Sequence, residues 1–240
     1  MQRIVIALAA ALVIVVGGYF LFVPYSPPPA PQAAAPTAGP APVAPSKATP
    51  VAGVEKGSAV NFAAAQADFA GKLWSAQGVT VAANAAPGPD GNPGAYRMTE
   101  SAANSLHRIL TDLSGVKPDT YTLSVYVKPG ERSGFGMEMS DAKSGKYGKV
   151  MFDLAQKQVR SSAGDVVADG LQELPNGWFR VWAAMPYSTE NVALDLALAS
   201  LDFAGFGYIG NGSAGLFLWG PQFETGRQPT GYDAAAASAN

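Results

Sequence analysis

Gly215-Leu-Phe-Leu-Trp-Gly-Pro-Gln-Phe-Glu224 is the stretch of this sequence that says most about its fold. Apolar residues alternate along its first half, as in a half-buried strand, and a Trp-Gly-Pro turn then leads into a short strand that ends in an acid. An exit with Pro, Gly and one Tyr follows, up to Tyr232. We expect this closing strand to lie beside an early one, near Asn61–Ala70.

The same period-two alternation recurs upstream of the closing strand. In one segment Leu123, Val125 and Val127 alternate with polar residues, and residues 149–154, 178–185 and 194–198 behave similarly. Turns rich in Gly, Pro, Asn and Asp separate these segments, and no segment has a convincing helical period. The pattern predicts an all-β, antiparallel sandwich over residues 58–233.

Three segments in order carry a resemblance to a known family. They are Thr120-Tyr-Thr-Leu-Ser-Val-Tyr-Val-Lys128, Pro175-Asn-Gly-Trp-Phe-Arg-Val181 and the closing strand. Together they resemble the carbohydrate-binding-like jelly-roll modules of phage tail fibres and bacterial surface proteins. The resemblance covers roughly residues 60–233. It implies a galactose-binding-like jelly-roll β-sandwich, and it implies a glycan as the ligand class.

Composition excludes several kinds of protein. The 240 residues carry 16 basic and 18 acidic side chains, a net charge of −2, so there is no basic footprint for nucleic acid. The chain has no Cys, which excludes disulfides and thiolate chemistry, and a single histidine, His107. The dinucleotide-like glycines of residues 205–210 are followed by a strand pattern rather than by a helix, so we interpret them as a loop.

The N-terminus predicts a membrane segment. Residues 4–23 form an uncharged run of 20 residues, long enough to cross a bilayer as a helix, and Arg3 flanks its inner side. We expect a signal anchor over residues 1–23 in the inner membrane, with a cytoplasmic N-terminus and a periplasmic or extracellular C-terminal domain. A cleaved signal peptide is the alternative, but the run is long for one and a Pro-rich stretch closes it.

The anchor is followed by a Pro- and Ala-rich segment. Ten of the 27 residues from Pro24 to Pro50 are Pro. Such a segment has few donors for a sheet and no apolar pattern to bury, so residues 24–57 are predicted to be an extended stalk. Residues 234–240 are predicted to be a disordered tail.

One strand carries the main candidate ligand-binding residues. Alternation places Trp178, Arg180 and Trp182 on one face and Phe179 on the other. If Phe179 faces the core, two indole rings and a guanidinium line the opposite face, with Tyr126 on a neighbouring polar face. Aromatic rings with a few directed polar groups are a typical ligand wall. The alternative is that Trp178 packs at the sandwich edge, with Arg180 covering it.

Metal and catalytic candidates are few. Asp90 and Asn92 supply oxygens in a loop and are weak candidates for a structural calcium, although an ordinary Asp-Gly turn explains them as well. We expect no other cofactor. Glu138 and Asp195 both fall on polar sides of predicted strands and are the carboxylate pair that a glycosidase would need.

These observations lead to one functional expectation with two alternatives. We expect a membrane-anchored, non-catalytic module that binds a cell-envelope or extracellular glycan. The first alternative is a structural or assembly module that binds partner proteins in a surface or phage-like appendage. The second is a glycoside hydrolase.

Overall fold

The computed structural model describes residues 67–232, apart from residues 142 and 189, together with the backbone of two short N-terminal strands. The chain divides into two units, Met1–Val54 and Glu55–Asn240. In the first unit, β1 (Val13–Val16) pairs antiparallel with β2 (Tyr19–Phe22). The rest of the predicted anchor, the stalk and the tail lie outside the described residues. No helix in the described part of the chain is long and apolar enough to cross a bilayer. The membrane helix stays a prediction.

The second unit is built from strands. They are β3 (Ser75–Gln77), β4 (Val79–Pro87), β5 (Pro93–Glu100), β6 (Asn104–Leu106), β7 (Arg108–Leu113), β8 (Asp119–Pro129), β9 (Gly134–Asp141), β10 (Lys146–Asp153), β11 (Gln158–Gly164), β12 (Ala168–Glu173), β13 (Phe179–Tyr187), β14 (Val192–Leu198), β15 (Gly207–Ile209) and β16 (Gly215–Thr225). The helical element described among them is a single 3-10 turn, Pro175–Gly177.

Two six-stranded antiparallel sheets contain most of these strands. Sheet I has the order β11-β10-β9-β14-β7-β3, and sheet II has the order β12-β13-β8-β16-β5-β4. A short ladder joins β15 to β6. The chain therefore changes sheet repeatedly as it proceeds, and strands distant in sequence become neighbours. The prediction of an all-β fold made of antiparallel sheets is confirmed.

The two sheets pack over one hydrophobic core. Leu123, Val125 and Val127 of β8 are fully buried in it, as the alternation predicted, and β14 contributes Leu194 and Leu196 from the other sheet. Burial of each such side chain is worth roughly 1.5–3 kcal/mol. The positions that face away from this core, on the outer sides of both sheets, can therefore carry polar and aromatic residues.

A buried ion pair joins the end of β5 to the β8–β9 loop and to the segment between β15 and β16. The Arg132 guanidinium donates to both oxygens of Glu100, at 2.6 and 2.8 Å, and stacks over the Tyr208 ring. The Tyr208 hydroxyl and the Asn211 backbone N–H also donate to Glu100. Burial raises the pKa of Glu100, but these donors outweigh it and hold the pKa below its ordinary value. The carboxylate thus stays charged and fixes the loop that precedes β16.

The closing strand differs from the prediction in two ways. It pairs with β5 and β8. Of the predicted partner segment 61–70, residues 67–70 are turn and coil, and residues 61–66 lie outside the described part of the chain. It is also one continuous strand, not two strands joined by a turn. The register shifts between Trp219 and Gln222, because three steps on β16 span the two steps from Tyr126 to Ser124 on β8. This extra residue on β16 forms a β-bulge, and bulges often contain Gly, as turns do.

Candidate functional site

The outward face of sheet II carries the candidate site. In one row across the sheet, Arg180 of β13 pairs with Tyr126 of β8, which pairs with Trp219 of β16. In the next outward row, Trp182 pairs with Ser124, and Ser124 lies opposite Gln222. We call this side of sheet II the outer face. Its middle therefore combines aromatic rings with amide, hydroxyl and guanidinium groups.

The β16 bulge decides which side chains share the outer face. Leu218 and Phe223 are both fully buried in the core although they are five residues apart, which simple alternation does not allow. The extra residue shifts the alternation of side chains by one position, so that Trp219 before the bulge and Glu224 after it lie on the same side of the strand. Gly220 has φ +55, and a Cβ there would lie 2.8 Å from the Tyr232 ring. Glycine is required at this position on both counts.

Three aromatic rings meet beside the bulge. The Trp219 and Tyr232 ring centroids are 4.4 Å apart, and Tyr126 meets both rings edge-on, at 5.2 and 5.8 Å. They line a cleft of about 270 Å³, which we call the aromatic cleft. Its remaining lining residues are Pro89, Asp90, Leu174 and Pro175. The cleft thus has apolar walls, phenol hydroxyls and one carboxylate at its rim.

Residues 226–232, which we call the C-terminal strap, run back over the outer face. The Gly226 carbonyl accepts a hydrogen bond from the Thr122 hydroxyl at 2.9 Å. Thr230 donates through its backbone N–H to Glu224 Oε1 at 2.9 Å and through its hydroxyl to Oε2 at 2.6 Å. Its carbonyl accepts from Arg180 Nη1 at 2.5 Å. These bonds fix the strap and so hold Tyr232 against Trp219.

Arg180 lies beneath the strap and is 7% exposed. Its Nη2 donates to the Ser124 hydroxyl at 3.0 Å and to Gln222 Oε1 at 3.2 Å, and the guanidinium stacks over the Tyr126 ring. Within the described residues its Nε has no hydrogen-bond partner. Burial lowers the pKa of Arg180, and nearby Tyr126 and Glu224 act in the opposite direction. Burial also raises the pKa of Tyr126, against the effect of Arg180, so the phenol is neutral at neutral pH.

The four sequence-predicted binding residues have different surroundings. Tyr126 lines the aromatic cleft. Arg180 is on the predicted face, but the strap covers it. Trp182 is half-buried on the same face with its ring packed on Gly170, where a Cβ would lie 2.0 Å from ring atom Cζ2. Trp178 is 1% exposed and precedes β13, so its indole has no free surface for a ligand and we remove it from the site.

Trp219 and Tyr232 are the site residues that alternation alone did not single out. Trp219 lies in the stretch with which the sequence analysis began, where an isolated Trp beside Gly-Pro was the available signal, and Tyr232 lies in the exit that follows that stretch. Tyr232 had no local signal, because it reaches the cleft through the bonds that Thr230 makes with residues on β16 and β13.

The proposed calcium loop is closed by its own hydrogen bonds. Asp90 Oδ1 accepts from the Asn92 backbone N–H at 3.0 Å, and Oδ2 accepts from the Asn92 side-chain amide at 3.1 Å. Among the residues described, no group of three or more His, Cys, Asp or Glu side chains is placed to hold a metal ion. The loop geometry is that of an Asx turn at the cleft rim.

Glu138 and Asp195 are directly opposite each other on β9 and β14. Arg108 pairs with Asp195 and also donates to Gln77. Burial raises the pKa of Asp195, assisted by Glu138 and Asp112, while Arg108 acts against the rise. The pair lies on the outward side of sheet I and so belongs to a different sheet from the aromatic cleft.

His107, the single histidine of the sequence, is fully buried. It falls between β6 and β7, and its ring stacks on Tyr208 with centroids 4.2 Å apart. Its Nε2 contacts the Ser101 carbonyl at 3.3 Å. It takes part in loop packing and has no nucleophile beside it among these contacts.

Comparison with known proteins gives similar structures but no family. No protein-family profile matches the chain, and no curated protein sequence matches it. The chain is similar to the enzymatically active domain of bacteriophage CBA120 tailspike protein 4, with 9% identity, a TM-score of 0.41, and coverage of 69% of this chain and 21% of that one. The chain thus spans about a fifth of that protein's length.

Two carbohydrate-binding proteins are also similar. One is the Clostridium thermocellum xylanase 10B fragment with its CBM22-1 and GH10 modules, complexed with xylohexaose (14% identity, TM-score 0.35, 72% of this chain and 27% of that one). The other is the mannan-recognising module TmCBM27 (10% identity, TM-score 0.34, 70% of this chain and 96% of that one). These similarities do not assign the chain to a family.

Proposed function

We propose that this chain is a non-catalytic glycan-binding protein, a jelly-roll sandwich that residues 4–23 anchor to a membrane and that binds a cell-envelope or extracellular polysaccharide. The observation that carries the proposal is the aromatic cleft, in which Tyr126, Trp219 and Tyr232 converge. Flat rings offer apolar faces to the C–H faces of sugars, and a few polar groups then fix orientation. Asp90 and the phenol hydroxyls supply such groups at this cleft.

The cleft is held in place before any ligand arrives. Trp219 is on a central strand of sheet II, and Tyr232 is fixed by the strap bonds to Glu224 and Arg180. Rings that need no reordering lose little conformational freedom on binding, which favours affinity. This arrangement supports the aromatic cleft over the Trp182 surface as the principal sugar contact. Trp182 remains a second candidate contact on the same face.

We interpret Glu138 and Asp195 as structural. Glu138 and Asp195 lie directly opposite each other in an antiparallel pair, so their Cα atoms are about 4.5–5.5 Å apart. Arg108 forms an ion pair with Asp195, and burial nevertheless raises the pKa of Asp195, so the structural interpretation rests on this ion pair and on the position of both residues on sheet I, away from the aromatic cleft. Release of reducing sugar from a bound glycan would contradict the non-catalytic proposal.

The experiment is a glycan-array screen of the full chain, followed by titration of the best ligand. Trp219→Ala is expected to weaken binding by about 1–3 kcal/mol, the range known for base–aromatic stacking and used here as an analogue, or roughly 5- to 150-fold in Kd. Tyr147→Ala is the matched control, because Tyr147 is 48% exposed on sheet I and far from the cleft in the strand order.

Two results would count against the cleft. Equal Kd values for the wild type and Trp219→Ala, with a loss for Trp182→Ala, would move the site to Trp182. Binding of no glycan by a correctly folded chain would instead favour the assembly-module alternative.

A further inference from the structure

The two sides of the sandwich differ in how their edge strands are protected. On one side the edges are β11 of sheet I and β12 of sheet II. Lys157 beside β11 forms an ion pair with Glu173 of β12 at 2.7 Å, and the strands also carry Arg160 and Asp169. Charged side chains on an edge strand oppose pairing with another chain. This side is therefore closed to further strands.

Among the strands that the structure describes, the edge strands on the other side lack such charged residues. These edges are β3 and β4, and the sequence from Leu73 to Pro89 has no Asp, Glu, Lys, Arg or His. Thr80 and Ala82 of β4 are exposed, and their side chains are small. An edge strand presents a row of unpaired backbone N–H and C=O groups, and an exposed, uncharged one is a site for strand addition.

The part of β4 open to pairing is short and regular. Val79–Ala82 pair residue by residue with Arg97–Glu100 of β5, and the register is then interrupted up to Ala86. Within the interruption Asn84 has φ 53, a left-handed conformation that breaks the ladder. A partner strand thus has about four residues to pair with. Pairing of this length is weak and depends on local concentration.

We propose that the β4 edge binds the β4 edge of a second copy of this chain, in an antiparallel pair about a two-fold axis. A strand with no charges meets itself without like-charge repulsion, and Thr and Ala side chains leave room for close approach. In an antiparallel pair, residues opposite each other point to the same side of the sheet, so core-facing residues must lie opposite core-facing residues. This holds only if the two-fold axis passes through a residue rather than between two residues. The proposal is independent of glycan binding.

The test is disulfide cross-linking of the full chain in a non-ionic detergent. Because the wild type has no Cys, introduced thiols are the only ones present. We would compare three variants. Thr80→Cys reports an axis at residue 80, and Ala82→Cys reports an axis at residue 82. The double variant also reports an axis at residue 81, which places residue 80 of one copy opposite residue 82 of the other. Cα atoms of opposed residues lie within the range that a disulfide spans. The expected result is a covalent dimer under mild oxidation for at least one variant.

The matched control is the pair Ser161→Cys/Ala163→Cys on the protected edge β11, with the same spacing and exposure. We expect at least five-fold more dimer from the double β4 variant, and we expect Ala83→Lys added to it to lower the yield at least three-fold. Circular dichroism of each variant checks the fold. Equal yields at the two edges, no dimer from any β4 variant, or β4 thiols that do not react with a small thiol reagent would each overturn the proposal.

Discussion

The bond between Thr230 and Glu224 allows the sharpest test of how the strap is held. Glu224 is fully buried, and its carboxylate accepts hydrogen bonds from the Thr230 N–H, the Thr230 hydroxyl and the Gln222 side-chain amide. Thr230→Val removes the hydroxyl and keeps the shape of the side chain. Hydrogen bonds to charged groups contribute roughly 1.5–3 kcal/mol, so we expect a loss of about that size. Thr230→Ser keeps the hydroxyl and should lose less than about 0.5 kcal/mol.

Two measurements on the full chain check this expectation. Urea unfolding followed by Trp fluorescence reports the loss if the strap unfolds with the sandwich. Hydrogen exchange of the strap amides reports it if the strap opens locally, as a faster exchange of roughly 10- to 150-fold. A Thr230→Val variant that matches Thr230→Ser in both measurements would refute the argument that this hydroxyl anchors the strap.

Two further predictions concern other parts of the sandwich. The pKa of Glu100 lies below its ordinary value of 4.5, so its ionised form stabilises the fold above about pH 4.5, and this contribution is lost as pH falls through the lower, folded-state pKa. Glu100→Gln should therefore be less stable than the wild type at pH 7 and should lose less stability on acidification. A difference in thermal unfolding midpoint between the two proteins that stays constant with pH would contradict this. Gly170→Ala places a methyl group against the Trp182 ring and should cost about 1–3 kcal/mol in urea unfolding, whereas Gly205→Ala, which has no positive φ and no atom closer than 4.0 Å to the added methyl group, should change the free energy of unfolding little.

The sequence was a good guide to the core. Strict alternation at Leu123, Val125 and Val127 has one physical cause, burial of one side of a strand, and the structure places all three in the core. The alternation pattern gave a wrong prediction where it was extended beyond the end of a strand. Trp178 follows a 3-10 turn in which Asn176 has φ 62 and Gly177 has φ 76, so its direction is not set by β13.

The site depended on contacts between residues distant in sequence. Alternation placed Arg180 on the outer face, but its burial results from the strap, whose residue 230 is 50 positions away. The position of Tyr232 in the cleft has the same cause. Sequence patterns report a residue's neighbours along the chain, and both of these side chains are positioned by neighbours across the sheet.

The bulge in β16 has a consequence for how this segment tolerates insertions and deletions. Without the bulge, the three steps from Trp219 to Gln222 would turn Phe223 toward water and Glu224 toward the core. The sandwich would then bury an unpaired carboxylate, and the strap would lose its anchor at the same time. Deleting one residue between Trp219 and Gln222 leaves two steps, which match the two steps from Tyr126 to Ser124, so a regular strand would keep both side chains on their present sides. The number of residues between Leu218 and Phe223 therefore carries structural information that their identities alone do not.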